Sequence, residues 1–273
     1  MKKHLFGPYA VLMTPFAGSE VDLAAYEAQL MRTSGTGISG YVTNGTTAEF
    51  VHLSLDEQMA LSELVAKKKD ADKELIVSAC TANAADTVRL ARHAGEIGAR
   101  AVLVCPPYYL KHPKAEREAY YTEVADKSPV PVVLYNIPFF TEELELDVIY
   151  RLFKHENIIG IKDSSANMKR LMHMVNVTEG SETAILTGTD DILLPALVGG
   201  CVGSMTALAA IFPDRISELY RAIGEGNLAR AREIQSSLMP TLREADAPTF
   251  PRGYKALLER ESGIPFGDKE VSI

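Results

Sequence analysis

The sequence predicts an α/β fold, a (β/α)8 TIM barrel with additional C-terminal helices, from three observations. Short apolar, β-rich runs recur eight times along the chain. Each is followed by a polar turn and then by a stretch with helical spacing. The eight units fill roughly 210 residues, close to the ~250 of a typical barrel of this kind. Strand alternating with helix calls for a parallel sheet with right-handed crossovers. The competing architecture, an open doubly wound sheet, usually advertises a dinucleotide or phosphate loop. Neither G-x-G-x-x-G nor G-x-x-x-x-G-K-[ST] occurs here.

The elements follow in order. Pro8–Met13 is the first run, and Asp22–Thr33 carries leucine and alanine at helical spacing. Gly40–Thr43 is the second run. Ser54–Lys69 follows as a helix whose opening, Ser54-Leu55-Asp56-Glu57, has the capping-box spacing. The later runs are Leu75–Ala79, Ala101–Cys105, Val130–Tyr135, Ile158–Lys162, Thr183–Thr187 and Cys201–Met205. Between them lie helical stretches at Thr81–Gly95, Lys114–Lys127, Leu146–His155, Asn167–Val177 and Ile192–Val198. The remainder is helical, with breaks expected at Pro213, Gly224 and Pro240. No composition shift or linker marks a second domain, so residues 1–273 read as a single domain, with the barrel at about 7–210 and the added helices at about 213–273.

Composition narrows the function. The chain has 273 residues, 28 basic and 36 acidic, for a net charge of −8. No basic stripe appears, so nucleic acid and anionic membranes are not expected partners. Cys80, Cys105 and Cys201 are far apart and odd in number, which indicates neither a disulfide framework nor a zinc site; buried free thiols are expected. The charged start Met1-Lys2-Lys3-His4 lacks an apolar core of signal-peptide length, and no apolar run reaches ~18 residues, so a cytoplasmic protein is expected.

In a barrel, reactive groups sit at the C-terminal ends of the strands. Found there are Thr14, Asn44–Glu49, Tyr108-Tyr109, Tyr135-Asn136, Lys162-Asp163-Ser164, Gly188–Asp191 and Ser204-Met205-Thr206. Lys162 closes the run Ile158-Ile159-Gly160-Ile161. An ammonium at the mouth of an apolar strand is poorly hydrated, its pKa falls, and the neutral amine is a nucleophile towards carbonyl carbon. The plainer alternative is a lysine whose stem lies along the sheet and whose head reaches water. Among these strand-end residues Asp190-Asp191 is the only tight acidic pair, and no histidine joins it, a poor donor set for metal catalysis.

Three stretches in order resemble one family. Gly45-Thr46-Thr47-Ala48-Glu49 is similar to its G-T-T-G-E loop, Tyr135-Asn136-Ile137-Pro138 to its Y-N-x-P motif, and Gly160-Ile161-Lys162-Asp163 to its G-I-K-[DE] strand. These mark the dihydrodipicolinate synthase / N-acetylneuraminate lyase family of class I aldolases, and the likeness runs from about Gly7 to about Glu259. The resemblance implies a Schiff-base lyase in which Lys162 forms an imine with pyruvate or a longer 2-keto acid, with no metal and no organic cofactor. It implies that Tyr135 relays protons together with Thr47 and with Tyr109 reaching in from a neighbouring subunit. The protein would then be a homo-oligomer, a dimer of dimers. Gly45, Thr46 and Thr47 would receive the pyruvate carboxylate, and Glu49 would bond backbone N–H groups under the loop. Ser164, Gly188, Asp190, Gly203 and Ser204 match positions that contact sugar in the lyase branch, although Asp190 could equally cap the helix that starts near Ile192.

Two departures bear on the substrate. Ala48 replaces the second glycine of the loop, and its methyl demands a negative φ or an altered loop. Phe140 stands where the synthase branch has an arginine for the carboxylate of aspartate semialdehyde. Phenylalanine cannot make that bidentate pair. The expected substrates are therefore a 2-keto-3-deoxy sugar acid or related 2-keto acid, cleaved to or formed from pyruvate and an aldehyde. The alternatives are a dihydrodipicolinate synthase condensing pyruvate with aspartate semialdehyde, a dehydratase of the same family, and a barrel that binds a keto acid without turnover.

Overall fold

A computed structural model describes residues 5–267, so the charged start at residues 1–4 and the last six residues of the expected C-terminal helical region lie outside the described residues. Eight strands form the ring: β1 (Gly7–Val11), β2 (Gly40–Thr43), β3 (Glu74–Ser78), β4 (Ala101–Val104), β5 (Val132–Asn136), β6 (Ile158–Asp163), β7 (Ala184–Thr187) and β8 (Gly203–Thr206). They close as a barrel in the order β1-β8-β7-β6-β5-β4-β3-β2, and the pairs whose register is defined are parallel. Apart from Glu74, every strand residue is buried, so the strands are covered on both faces and read as continuous apolar runs rather than alternating ones. Each sequence-predicted run coincides with a strand to within one or two residues at its ends.

Two compact units share the described chain: residues 5–7 with 76–205, and residues 8–75 with 206–267. The first contains helices α3 (Ala84–Glu96), α4 (Lys114–Lys127), α5 (Leu146–Leu152), α6 (Met168–Val177) and α7 (Leu193–Val198). In it β4, β5, β6 and β7 pair in sequence, and Tyr135 stands in register opposite Lys162, as Asn136 does opposite Asp163. Gly160 in β6 lies so close to β7 that a Cβ there would stand 2.9 Å from the Cβ of Ala184 and nearer still to the Ala184 carbonyl. The second unit holds α1 (Leu23–Arg32), α2 (Leu55–Lys68), α8 (Leu208–Ile211), α9 (Pro213–Gly224), α10 (Leu228–Asp246) and α11 (Arg252–Ser262). The capping box forms as the sequence predicts: the Glu57 N–H donates to Ser54 Oγ at 3.2 Å, and the Ser54 N–H donates to Glu57 Oε2 at 2.7 Å.

One expectation is corrected in this unit, and one element is added. A short hairpin, Phe16–Ala17 with Glu20–Val21, interrupts the first β-to-α connection. Pro240 does not break the chain but sits inside α10. Proline costs a helix one hydrogen bond and some steric strain. Here the stripe of Ala231, Ile234, Leu238, Leu242 and Ala245 is buried along the whole helix, and that packing carries the turn through the proline. Pro213 and Gly224 instead mark the first and last residues of α9. Among the described residues no helix is long and apolar enough to cross a membrane. All three cysteines are free and buried.

The contact of Gly160 with β7 generates a test. Gly160→Ala should force the β6–β7 pair apart and lower stability by about 1–3 kcal/mol, the usual cost of overpacking. The urea midpoint should fall with the m-value unchanged.

Candidate active site

In the first unit the end of β6 delivers Lys162, with 4% of its surface exposed, and the end of β5 delivers Tyr135, with 2%. The register of the two strands sets them side by side, and Nζ of Lys162 lies 4.3 Å from the centroid of the Tyr135 ring. Burial pushes the Lys162 pKa down from 10.5 to about 8, against the opposing influence of Cys80 and Asp190. At pH 7 about one molecule in ten then carries a free amine, against about one in three thousand at an ordinary lysine pKa. The plainer alternative, a lysine head in water, is overturned by this burial. The stem of Lys162 runs against Gly188: a Cβ at that glycine would stand 2.6 Å from Lys162 Cε and would also overlap Ser164 Oγ. Gly188 is therefore a space requirement of the lysine and the neighbouring serine.

The residues flanking the pair are held firmly. Ser164 N–H donates to the Asn136 carbonyl and Gly188 N–H to the Asp163 carbonyl, both at 2.8 Å. Asp163 accepts from Asn136 Nδ2 at 2.8 Å and from Arg170 Nε at 2.9 Å. The Cys80 sulfur accepts the Cys105 N–H at 3.2 Å and the Ser78 hydroxyl at 3.3 Å. Asp190 is buried and opens a 3-10 turn, Asp190–Ile192. The N-cap of α7 is Ile192, with no side-chain cap bond. Gly203 and Ser204 open β8 and are buried. Tyr109 is 96% exposed, with φ at +76°. A bulky side chain in the left-handed region stores about 1–3 kcal/mol of backbone strain.

In the second unit the chain leaves β2 through Asn44, in the left-handed region at φ +56°, and enters two short 3-10 turns, Thr46–Ala48 and Phe50–His52. Asn44 is pinned by its side-chain amide, which donates to the Gln58 carbonyl at 3.0 Å and to Ser62 Oγ at 3.1 Å. Ala48 fits inside the first turn, a conformation of negative φ, and its carbonyl accepts the Thr14 hydroxyl at 2.7 Å. The strained position falls one residue later, at Glu49, with φ +56°. Its carboxylate accepts from the buried ammonium of Lys255 on α11 at 2.8 Å, not from backbone N–H groups as the sequence reading expected. Lys255 also donates to the Gly267 carbonyl at 2.8 Å and lies 4.9 Å from the centroid of the Phe16 ring.

A family model described as the dihydrodipicolinate synthetase family matches residues 5–268. The chain belongs to this family. It is 32% identical over 247 residues to the 4-hydroxy-tetrahydrodipicolinate synthase of Methanothrix thermoacetophila, a match covering 90% of this chain and 83% of that one. The solved 4-hydroxy-tetrahydrodipicolinate synthase of the thermoacidophilic methanotroph Methylacidiphilum fumariolicum SolV superposes with a TM-score of 0.92 at 29% identity, covering 98% of this chain and 90% of that one. A prophage protein of E. coli K12 from the dihydrodipicolinic acid synthase family, solved in complex with pyruvate, superposes with a TM-score of 0.89 at 26% identity, covering 98% and 91%. As a member of the dihydrodipicolinate synthetase family the protein is a carbon–carbon lyase of the class I aldolase type, acting on small molecules.

Sequence reading missed Arg170 and Lys255, which hold the loops of this dihydrodipicolinate synthetase family member from helices on which they look like ordinary surface charges. The one signal for Lys255 was its place in an apolar context, Tyr254-Lys255-Ala256-Leu257-Leu258. Lys255→Met leaves the largely buried Glu49 carboxylate without its cation and should cost about 3–5 kcal/mol in thermal or chemical unfolding. Pairing it with Glu49→Gln should recover a large part of that loss.

Proposed function

We propose that Lys162 carries pyruvate as an imine and that the protein makes or breaks the carbon–carbon bond of a 2-keto-3-deoxy sugar acid or related 2-keto acid. The free amine adds to the keto carbon, water leaves, and loss of a proton from the methyl group gives an enamine. The enamine carbon bonds to the aldehyde carbon while the aldehyde oxygen takes a proton, and water then releases the keto acid. Cleavage is the reverse: the substrate hydroxyl loses its proton, the bond breaks, and its electron pair drains into the iminium nitrogen. The observation that carries this reading is the buried amine beside the Tyr135 ring, with a pKa pushed down to about 8. Kinship supports it too, since a relative in the family was solved with pyruvate.

In this proposal Tyr135 and Thr47 pass the proton, joined by Tyr109 of a neighbouring subunit. The exposure and strained backbone of Tyr109 support a part played outside its own chain. Gly45, Thr46 and Thr47 bind the keto-acid carboxylate. Ser164, Gly188, Asp190, Gly203 and Ser204 receive the hydroxylated portion. The working protein is a cytoplasmic homo-oligomer. The sugar-acid branch rests on Phe140, 57% exposed on the loop after β5, which offers no cation to a second carboxylate. A second reading, dihydrodipicolinate synthase, is favoured by the names of the relatives.

Borohydride reduction with pyruvate should add one reduced pyruvate at Lys162. The yield should rise with pH through a midpoint near 8, because raising the pH frees the amine. A midpoint above 10, or no adduct, would contradict the imine. For the substrate, Phe140→Arg should raise kcat/KM with aspartate semialdehyde about tenfold or more, the worth of a charge-assisted pair. Efficient turnover of aspartate semialdehyde by the unaltered protein would establish the second reading instead.

A further inference from the structure

Four hydrogen bonds close a ring at the ends of β5 and β6. Arg170 Nε donates to Asp163 Oδ2 at 2.9 Å, and Asn136 Nδ2 donates to the same oxygen at 2.8 Å. Leu144 N–H donates to Asn136 Oδ1 at 3.0 Å, and Arg170 Nη2 donates to the Leu144 carbonyl, returning to the start. Asp163 Oδ1 is filled separately by the N–H and hydroxyl of Ser165. Asp163 is fully buried and Arg170 nearly so. The two strand residues in the ring, Asn136 and Asp163, are register partners, and each directly follows a member of the Tyr135–Lys162 pair. The ring also grips the far end of the loop that carries Phe139 and Phe140.

We infer that Arg170 is a positioning residue: through this ring it fixes the ends of β5 and β6, and with them Tyr135 against Lys162. The inference rests on the imine reading given above. Side chains alternate faces along a strand, so Asn136 and Asp163 point away from the face that carries Tyr135 and Lys162, and the ring holds that pair through the backbone of the two strand ends. The groups facing the amine are Cys80 after β3, Asp190 after β7 and the Tyr135 ring on β5. Facing the guanidinium are Asp163, Glu143 with a carboxylate oxygen at 3.3 Å, and Tyr150 on α5; Cys201 senses Asp163. Among these only Arg170 supplies positive charge to Asp163.

The test is pyruvate trapping by borohydride across pH, with aldol turnover measured alongside, on the full chain and on Arg170→Gln and Arg170→Lys. Arg170→Gln should lower kcat about tenfold while the trapping midpoint stays at its wild-type value, since the geometry of the pair changes and the charges facing the amine do not. Arg170→Lys keeps the charge but not the planar fork. It should likewise leave kcat lowered about tenfold through loss of the Leu144 contact. A role confined to stability would lower the melting temperature of both variants and leave kcat per folded molecule unmoved, which overturns the inference. Should Arg170→Gln not fold, Arg170→Lys decides: wild-type kcat overturns it. No adduct at Lys162 in the unaltered protein would overturn the imine reading and this inference together. A wild-type adduct together with wild-type kcat in Arg170→Gln overturns the inference alone.

Discussion

An ammonium held away from water gives up its proton more readily, and a closed barrel can hold one there without supplying a neutralising carboxylate. Lys162 is buried at the end of β6 with no carboxylate at ion-pairing distance among the described residues; its close neighbour is the face of the Tyr135 ring. A ring face attracts a cation by about 0.5–2 kcal/mol, far less than a buried ion pair gains before desolvation is subtracted. The amine is thus accommodated but not fully compensated, and burial pushes its pKa down to about 8. The surrounding features maintain it: Gly188 yields the volume for the side chain, and the ring through Arg170 keeps Asp163 occupied elsewhere.

A second buried lysine shows the opposite arrangement. Lys255 has the Glu49 carboxylate and the Gly267 carbonyl each at 2.8 Å, with the Phe16 ring nearby. Its charge is met on several sides, so it serves as a fastener. Two lysines of similar burial diverge in role because one is given an anion and the other is given an aromatic face. Neither burial nor residue type alone distinguishes them.

Much of this was legible in the residues. The strand runs were apolar along their whole length because both faces are covered, and that made them stand out. The capping box at Ser54 and the boundary of α9 at Pro213 follow from backbone chemistry that is local in sequence. Lys162 stood out because a polar residue terminates an isoleucine-rich strand, but that strand alone left open a lysine head in water, and the resemblance of three stretches to one family singled it out. What escaped was non-local. Arg170 touches Leu144, and Lys255 reaches Glu49 across 206 positions, and no periodicity encodes such partners. Pro240 misled for a related reason: its local penalty is real, but the buried stripe of α10 outweighs it. The hairpin at Phe16–Val21 was too short for any pattern to register.

The link between Glu49 and Lys255 has a consequence for how the protein comes into being. Glu49 leaves the ribosome first, and the residue that settles its carboxylate follows 206 positions later. At about 5–20 residues per second, that interval lasts on the order of ten seconds or more. Throughout it the threonine-bearing turn has no ammonium to anchor it. A nascent chain can assemble much of its sheet during translation, but this turn gains its ion pair only when α11 arrives.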